Sequence, residues 1–463
     1  MGRGARLPVL VAPFEVAALA VSLLLGFVMA AAAVELPLPA VVAGAALVAG
    51  VVVLGPELVI ALAMLAAAGL VPFLDTTDFL FADMKGYFVF FWVAVLTMLA
   101  SWSARVLAGR RSWPFQPNAL LIAVLVQLGY VGLVMAATDP LAQPTLAAPF
   151  VEFPVMAVAT YLWLSHDDAI AGLKRVLPLV VAIVTAWAAA YMGAALTAGG
   201  CEPCITAVSS HLSHEGLLGP DSRVYTPGQN SLLALVLVAF GQALRRQTPL
   251  TVGLATLALA CVAFQGSRAQ YFGMIAGMAV LIAWKLGTSK VGGRVFLATA
   301  TLAAFVAILS SPVGERALTA YEDLSTGTGT GAYRIALLEQ ASENWSLFGA
   351  GVTGATLGLG VNEDLGLSNT FIVVGFVGGS LQVAVLLLAF VRGLRARTLA
   401  GATIASIFLL LLVTRASLAL MELGHSPITY GAAVGFAAWL VVPSPRRALA
   451  FRRWRREPEV VAT

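Results

Sequence analysis

Residues 245–290, RRQTPLTVGLATLALACVAFQGSRAQYFGMIAGMAVLIAWKLGTSK, contain two apolar runs joined by one short polar turn. Each run, 250–266 and 269–287, is long enough to cross a hydrocarbon core of roughly 30 Å as an α-helix. Arg245 and Lys285 mark the far ends of the two runs, whereas Arg268 lies in the turn between them. Because Lys and Arg accumulate in short cytoplasmic loops, the stretch predicts a helical hairpin that enters the membrane from the cytoplasm and returns there.

The composition of the whole chain agrees with this pattern. Hydrophobic residues make up 60% of the 463 residues and charged residues only 11%, which excludes an ordinary soluble domain. The net charge of +4 comes mainly from short loops and the C-terminal tail, so it indicates orientation and contact with anionic lipid and not nucleic-acid binding. The first apolar run is too long for a cleaved signal peptide, and we expect it to be a retained span.

The apolar runs predict an all-α polytopic integral membrane protein with about 14 transmembrane helices. We place the spans near 9–33, 38–54, 57–74, 87–107, 118–138, 147–164, 176–197, 229–244, 250–266, 269–287, 295–311, 370–390, 402–420 and 428–443. An even number of spans returns both termini to the cytoplasm, as their arginines require. The basic patches inside this threading are Arg105/Arg110/Arg111, Lys174/Arg175, Arg245/Arg246, Lys285/Lys290/Arg294 and Arg392/Arg395/Arg397.

Two loops on the opposite, extracytoplasmic side are unusually long, and such loops in compact proteins are usually functional or disordered. In the second loop, Ser325 to Gly331 (STGTGTG) reads as a loose hinge. The stretch from Tyr333 to Phe348 predicts an amphipathic helix on the membrane surface, with Leu338, Ala341, Trp345 and Phe348 on its apolar face. No repeat or inverted symmetry of the kind found in transporters is visible. The resulting regions are 1–197 (transmembrane helices), 198–228 (extracytoplasmic loop), 229–311 (transmembrane helices), 312–369 (large extracytoplasmic loop), 370–443 (transmembrane helices) and 444–463 (basic tail).

Few basic residues fall on the extracytoplasmic side, namely Lys85, Arg223, Arg268, Arg316 and Arg334. Guanidinium groups bind phosphate oxygens in a bidentate manner, so an anionic ligand such as a diphosphate explains Arg223, Arg268 and Arg334. The alternative is that these arginines extend to the interface or form loop ion pairs. Lys85 and Arg316 read as ordinary surface charges.

Ionisable residues also occur within the predicted spans, at Glu15, Arg415 and Glu422. A charge facing lipid is costly, so these side chains should face the bundle interior and find partners there. Arg415 and Glu422 are two turns apart, which disfavours a direct pair. The glycines at 375, 378 and 379 favour close helix packing over a tunnel between the helices.

The cysteines and histidines of the first long loop form a C-x-x-C, H-x-x-H cluster. Its residue types suit zinc, but the spacing is short and the compartment is oxidising, so a disulfide between the two cysteines is favoured over a metal site. Free residues remain a third possibility. The cluster consists of Cys201, Cys204, His211 and His214. Cys261 is expected to be a small packing residue within a span.

Four stretches carry a resemblance to a known family. They are RVYTPGQNSLLALVL from Arg223, GSRAQYFGMIAG from Gly266, Tyr333-Arg334 followed by SLFGAGVTG, and LSNTFIVVGFVGG from Leu367. In order, spacing and sidedness, this set resembles the bacterial O-antigen ligase and O-antigen polymerase superfamily, membrane glycosyltransferases that use polyprenyl-diphosphate-linked sugars. The resemblance covers residues 223–390.

The resemblance implies a bacterial inner-membrane enzyme, with an extracytoplasmic site, that transfers a polyprenyl-diphosphate-linked oligosaccharide to a glycan acceptor without a cofactor. Arg223, Arg268, Arg334 and Asn369 would bind the donor, and Arg268 and Arg334 would also stabilise the leaving group. Ser368 replaces the histidine that the ligases of this family carry. That departure favours a polymerase of polysaccharide repeats over a ligase, and a lipid-linked oligosaccharide flippase is the alternative of another class. The catalytic base would then be sought among Glu363, Asp364 and His425.

Overall fold

The computed structural model describes residues 56–67, 87–107, 118–138, 144–197, 229–265, 268–288, 329–351, 366–415 and 426–440. Within these ranges the chain forms 13 helices and no strand. Five of these helices are long and apolar enough to cross a membrane, and several shorter ones are also apolar. The described residues are therefore consistent with the predicted all-α membrane protein.

The helix bounds follow most of the predicted spans closely. The helices are α1 (Pro56–Ala67), α2 (Tyr87–Leu107), α3 (Ala119–Ala137), α4 (Pro144–Trp163), α5 (Asp167–Thr197), α6 (Gln229–Arg246), α7 (Pro249–Gln265), α8 (Arg268–Thr288), α9 (Gly329–Ser342), α10 (Leu367–Val373), α11 (Gly375–Arg395), α12 (Leu399–Arg415) and α13 (Ser426–Leu440). The predicted spans 9–33, 38–54 and 295–311 lie outside the described residues, so the total of about 14 stays a prediction.

Helix α3 shows how the local sequence produces these elements. Asn118 caps its N-terminus by accepting a hydrogen bond from the Leu121 backbone N–H at 3.1 Å. The helix is apolar on all sides, and Val126 and Leu133 are exposed while Leu120 and Val124 are buried. Large apolar side chains on both faces are typical of a helix that contacts lipid on one side and protein on the other.

Small residues set the spacing between packed helices. α4 and α13 run parallel, and a Cβ at Gly431 of α13 would lie 2.5 Å from the Phe153 carbonyl oxygen of α4. α8 and α12 run antiparallel, and a Cβ at Gly277 would lie 2.9 Å from the Ser406 carbonyl oxygen. Such backbone approach provides the dispersion contacts that hold helices together where no aqueous hydrophobic effect operates. The packing interpretation of the glycine-rich start of α11 is confirmed, since Gly379 packs against the Phe371 ring.

Basic side chains anchor one end of the described bundle. Arg105, in the last turn of α2, pairs with Glu57 of α1 through Nη2 and Oε1 at 3.1 Å. Arg392 donates from Nη1 to Asn118 Oδ1 at 2.9 Å, and Asn118 donates from Nδ2 to the Ala438 carbonyl oxygen at 3.2 Å. We call this the basic end. The opposite end, where α10 precedes α11, is called the α10 end, and the orientation of the two ends relative to a membrane stays a prediction.

The buried cysteine matches its predicted role. Cys261 of α7 is 3% exposed and belongs to the main apolar cluster of the described helices. Its thiol is free. Cys261 therefore packs as a small apolar residue, as expected from its place in a span.

Candidate functional site

A helix break lies where one continuous span was predicted from 370 to 390. α10 ends at Val373, and Gly375 opens α11 with a φ of +69°. A Cβ at Gly375 would lie 2.6 Å from the Leu347 carbonyl oxygen, so both the backbone angle and the close approach require glycine. Residues 370–373 therefore belong to a short separate helix, and the span prediction was wrong at its start.

The segment 345–351 fixes this break through backbone hydrogen bonds. The Phe376 N–H donates to the Ser346 carbonyl oxygen at 3.0 Å, and the Ala350 N–H donates to the Ile372 carbonyl oxygen at 2.9 Å. The Tyr130 hydroxyl of α3 lies 3.1 Å from the carbonyl oxygens of both Phe348 and Val374 and donates to them. The segment thus pairs with both helices that meet at the break and connects them to α3.

The glycines of the SLFGAG stretch supply the turn that this pairing needs. Gly349 has a φ of +87° and Gly351 a φ of +69°, which are left-handed conformations that glycine adopts without steric cost. A Cβ at Gly349 would lie 2.6 Å from the Gly375 nitrogen. The segment around residue 349 and the start of α11 can approach this closely only because residues 349 and 375 are both glycine.

The predicted amphipathic helix over 333–348 is shorter than expected. α9 ends at Ser342, and residues 343–350 continue without helix. Of the residues expected on one apolar face, Ala341 is buried and Trp345 half-buried, whereas Leu338 and Phe348 are exposed. After Ser342 the backbone forms one tight turn, in which the Asn344 N–H donates to the Ala341 carbonyl oxygen at 3.0 Å and the Trp345 N–H to the Ser342 carbonyl oxygen at 3.2 Å. Residues 346–350 then hydrogen-bond to the break between α10 and α11 and do not continue the helix. The predicted hinge 325–331 also overlaps α9, which begins at Gly329.

Trp345 connects this segment to Ser368. Its indole Nε1 donates to Ser368 Oγ at 2.8 Å. The Trp345 ring also packs edge-on against Phe371 at 5.4 Å and Phe376 at 5.5 Å between centroids. Ser368 is 2% exposed, so this position of α10 carries a buried hydroxyl that accepts a hydrogen bond.

A buried arginine joins α10 to the bundle. Arg415, the last residue of α12, donates from Nη2 to Thr370 Oγ1 at 2.7 Å and to Gln382 Oε1 at 3.1 Å. Arg415 is 2% exposed, Thr370 0% and Gln382 3%. A guanidinium removed from solvent in this way requires hydrogen-bond acceptors, and here they come from two different helices. The expectation that Arg415 faces the interior and finds partners is confirmed.

The helix that begins with Arg268 reaches the same end of the bundle. A Cβ at Gly273 of α8 would lie 2.9 Å from the Leu410 carbonyl oxygen of α12. Because the two helices are antiparallel, Arg268 and Arg415 both lie five residues beyond this contact, or about 7 Å along the axis. The start of α8 and the end of α12 are therefore level at the α10 end.

The other predicted site residues divide into two groups. Asn369 lies in α10 and is 0% exposed, between Ser368 and Thr370. Arg334 lies in α9, which packs against α10, so the two helices that carry Arg334 and Asn369 are neighbours. Arg223, Glu363, Asp364 and His425 lie outside the described residues, as do the Cys201/Cys204/His211/His214 cluster and the span residues Glu15 and Glu422.

Sequence reasoning missed one ionisable residue, Glu152 in α4. Its side chain is 1% exposed, and neither carboxylate oxygen has a hydrogen-bond partner in the described part of the chain. The signal was available, since Glu152 is a carboxylate inside the predicted span 147–164. Gln382 was also missed, because a single glutamine in an apolar helix has no distinguishing pattern.

The α10 end combines a buried guanidinium, a buried Ser-Asn-Thr run and the start of a helix that carries a second arginine. Positive charge and helix N–H groups at one place suit an anionic ligand. Among the described side chains, no group of three or more His, Cys, Asp or Glu residues is arranged to hold a metal ion. Neither a comparison with protein-family models nor one with curated proteins finds a match to this chain.

Proposed function

We propose that this chain is a membrane glycosyltransferase that transfers a polyprenyl-diphosphate-linked oligosaccharide to an acceptor sugar hydroxyl. The observation that supports this most directly is the α10 end, where Asn369 is buried beside Thr370 and its hydrogen bond to Arg415. The start of α8, with Arg268, lies level with that hydrogen bond. A polar, cationic site at one end of an apolar bundle suits a ligand with a charged head and a prenyl chain.

The arginines have distinct roles in this proposal. Arg223, Arg268 and Arg334 bind the diphosphate, whereas Arg415 is held by Thr370 and Gln382 and keeps α10 in place. Arg268 is the first residue of α8, so the helix dipole adds to its charge at a bound anion. The proposal includes no metal or other cofactor, because the guanidinium groups supply the positive charge.

The reaction is a displacement at the anomeric carbon of the donor sugar. The acceptor hydroxyl oxygen forms a bond to that carbon, and the bond from the carbon to the diphosphate oxygen breaks. The leaving diphosphate takes the electron pair, and arginines that bind more tightly as its charge grows lower the barrier. The acceptor proton passes to a carboxylate or imidazole, with Glu363, Asp364 and His425 as the candidates from the sequence. Asn369 orients the donor head group.

The most specific form of the proposal is a bacterial inner-membrane polymerase of polysaccharide repeat units with its site on the extracytoplasmic face. Ser368 supports a polymerase over a ligase, because it occupies the position of the ligase histidine and already accepts a hydrogen bond from Trp345. Both termini would then be cytoplasmic, and the partners would be the lipid-linked donor, the glycan acceptor and membrane lipid.

The test uses purified full-length protein in liposomes that contain a polyprenyl-diphosphate-linked repeat unit. Products longer than one repeat on the lipid carrier indicate a polymerase, and transfer of the glycan to a separate lipid or protein acceptor indicates a ligase. Movement of the lipid-linked unit across the bilayer without a new glycosidic bond would indicate a flippase and refute the enzyme. Where Arg268 is replaced by Ala in this assay, Arg246→Ala at the exposed end of α6 is the control for general loss of positive charge.

A further inference from the structure

The buried carboxylate of Glu152 makes no hydrogen bond in the described part of the protein. Its side chain is 1% exposed, and neither oxygen accepts a hydrogen bond there. A buried carboxylate without a hydrogen-bond partner costs free energy, since burial of an uncompensated polar group is unfavourable. An ionisable group kept in a membrane-spanning segment at such a cost indicates a functional role.

The helix register places Glu152 at the α10 end. Thr160 of α4 contacts Met98 of α2 through Oγ1 and Sδ at 3.7 Å. The two helices are parallel, because Arg105 in the last turn of α2 pairs with Glu57, and Glu57 packs on Gly172 near the start of α5, which directly follows α4. Eight residues earlier along both helices, Glu152 is level with Phe90, in the first turns of α2. Glu152 is therefore near the same end of the bundle as α10.

Two further neighbours of α4 agree with this placement. Gly431 of α13 packs on Phe153 and Met156, which puts Glu152 level with the first turn of α13. Phe150, two residues before Glu152, belongs to the apolar cluster that contains Val373 of α10.

The other carboxylates whose side chains are described are in different situations. Glu57 pairs with Arg105 at the basic end. Asp168, Glu339 and Glu343 are exposed. Within that set, Glu152 alone combines burial, the α10 end and two carboxylate oxygens that no neighbour uses.

From this geometry we infer that Glu152 is the proton acceptor for the acceptor hydroxyl, an inference that rests on the glycosyl transfer proposed above. As the acceptor oxygen bonds to the anomeric carbon, its proton moves to a carboxylate oxygen of Glu152. The electron pair of the broken bond leaves with the diphosphate. Glu152 then returns the proton to water as the product leaves. Ser368 is engaged by Trp345 and lacks the basicity for this role.

Because no described residue hydrogen-bonds to the Glu152 carboxylate, Glu152→Gln is a sharp test. Glutamine keeps the size and shape of the side chain and removes no hydrogen bond seen in the described residues, so stability and membrane insertion should be retained. General base catalysis typically contributes on the order of 100-fold to 10,000-fold, and we expect the transfer rate to fall by at least about 100-fold. Binding of a labelled polyprenyl diphosphate should change by less than about twofold, since the proposed diphosphate site uses arginines.

The matched control is Gln127→Leu in α3. Gln127 is also buried, at 2% exposed, and its Oε1 has no hydrogen-bond partner among the described residues, but it is not assigned to the reaction. We expect wild-type transfer from this variant. A rate for Glu152→Gln within about twofold of wild type would overturn the inference while the proposed function stands. Wild-type protein that neither binds nor transfers lipid-linked sugar would instead refute the proposed function.

A second measurement covers the case in which Glu152→Gln fails to accumulate. Dicyclohexylcarbodiimide modifies carboxyl groups in apolar surroundings, and mass spectrometry identifies the modified residue. We expect modification of Glu152 in the wild-type protein, with loss of transfer in proportion to the modified fraction and retained binding of polyprenyl diphosphate. Full transfer activity from protein quantitatively modified at Glu152 would overturn the inference.

Discussion

Replacement of Arg415 tests the contact that holds α10 in the bundle. In Arg415→Met, Thr370 Oγ1 and Gln382 Oε1 both lose a donor while they stay buried at 0% and 3% exposure. Each unsatisfied acceptor costs about 1 to 3 kcal/mol. Removal of a buried charge returns part of this cost, because desolvation of an ion is unfavourable. We therefore expect Arg415→Met to reduce the free energy of unfolding by about 2 to 4 kcal/mol.

The assay is chemical unfolding of purified protein in detergent, with Arg246→Met at the exposed end of α6 as the control for the same substitution. A triple variant that adds Thr370→Val and Gln382→Leu removes the orphaned acceptors, and most of the lost stability should return. Transfer activity should stay low in the triple variant, since the hydrogen bond that joins α10 to α12 is then absent. A single variant within about 0.5 kcal/mol of wild type would refute the reasoning, because surface substitutions alone produce changes of that size.

Four further predictions concern the site and the topology. Arg268→Ala should lower turnover by about 100-fold to 1,000-fold with normal membrane insertion, and Lys should rescue poorly because it lacks bidentate geometry; near wild-type elongation would show that the phosphate site is misplaced. Gly375→Ala should lower the free energy of unfolding by at least about 2 kcal/mol, because this position has a left-handed backbone conformation and the new Cβ would meet backbone atoms. Its control is Gly132→Ala, where no atom lies within 4 Å of the new Cβ and the change should be neutral or slightly stabilising in the same unfolding experiment. Trp345→Phe keeps the ring but loses the hydrogen bond to α10, and we expect a loss of about 1 kcal/mol in unfolding experiments. Gly327→Cys should react with an impermeant thiol reagent from outside the cell, and labelling only from the cytoplasm would overturn the predicted topology.

The sequence determined the helices well because hydropathy is a property of a contiguous stretch. The run 118–138 is apolar apart from a few polar residues and is long enough to cross a membrane, and α3 occupies 119–137. The basic residues at the ends of α2 and α11 likewise follow from composition, since charges are excluded from the apolar centre of a helix. They lie at one end of the described bundle, as the charge pattern predicts.

The break before Gly375 could not be found in this way. Its sequence, TFIVVGFVGG, is as apolar as any span, and it reads as one helix until the partners of its backbone are known. Those partners are the carbonyl oxygens of Ser346 and Leu347, almost 30 residues earlier, which accept hydrogen bonds from Phe376 and Val377. The same contacts hold residues 346–350 out of the helix that was predicted to extend to Phe348, so this pairing bears on both errors of prediction.

The candidate site shows the same division. The charge pattern along the chain predicted Arg268 and Arg334 on one side of the threading, and the resemblance of the LSNTFIVVGFVGG stretch added Asn369. Only the folded structure relates Arg415 to Thr370 and Gln382, and only helix register brings Glu152 to the α10 end. Hydropathy and charge are local and can be read from neighbouring residues, whereas hydrogen bonds between helices depend on which faces meet, and only tertiary packing decides that.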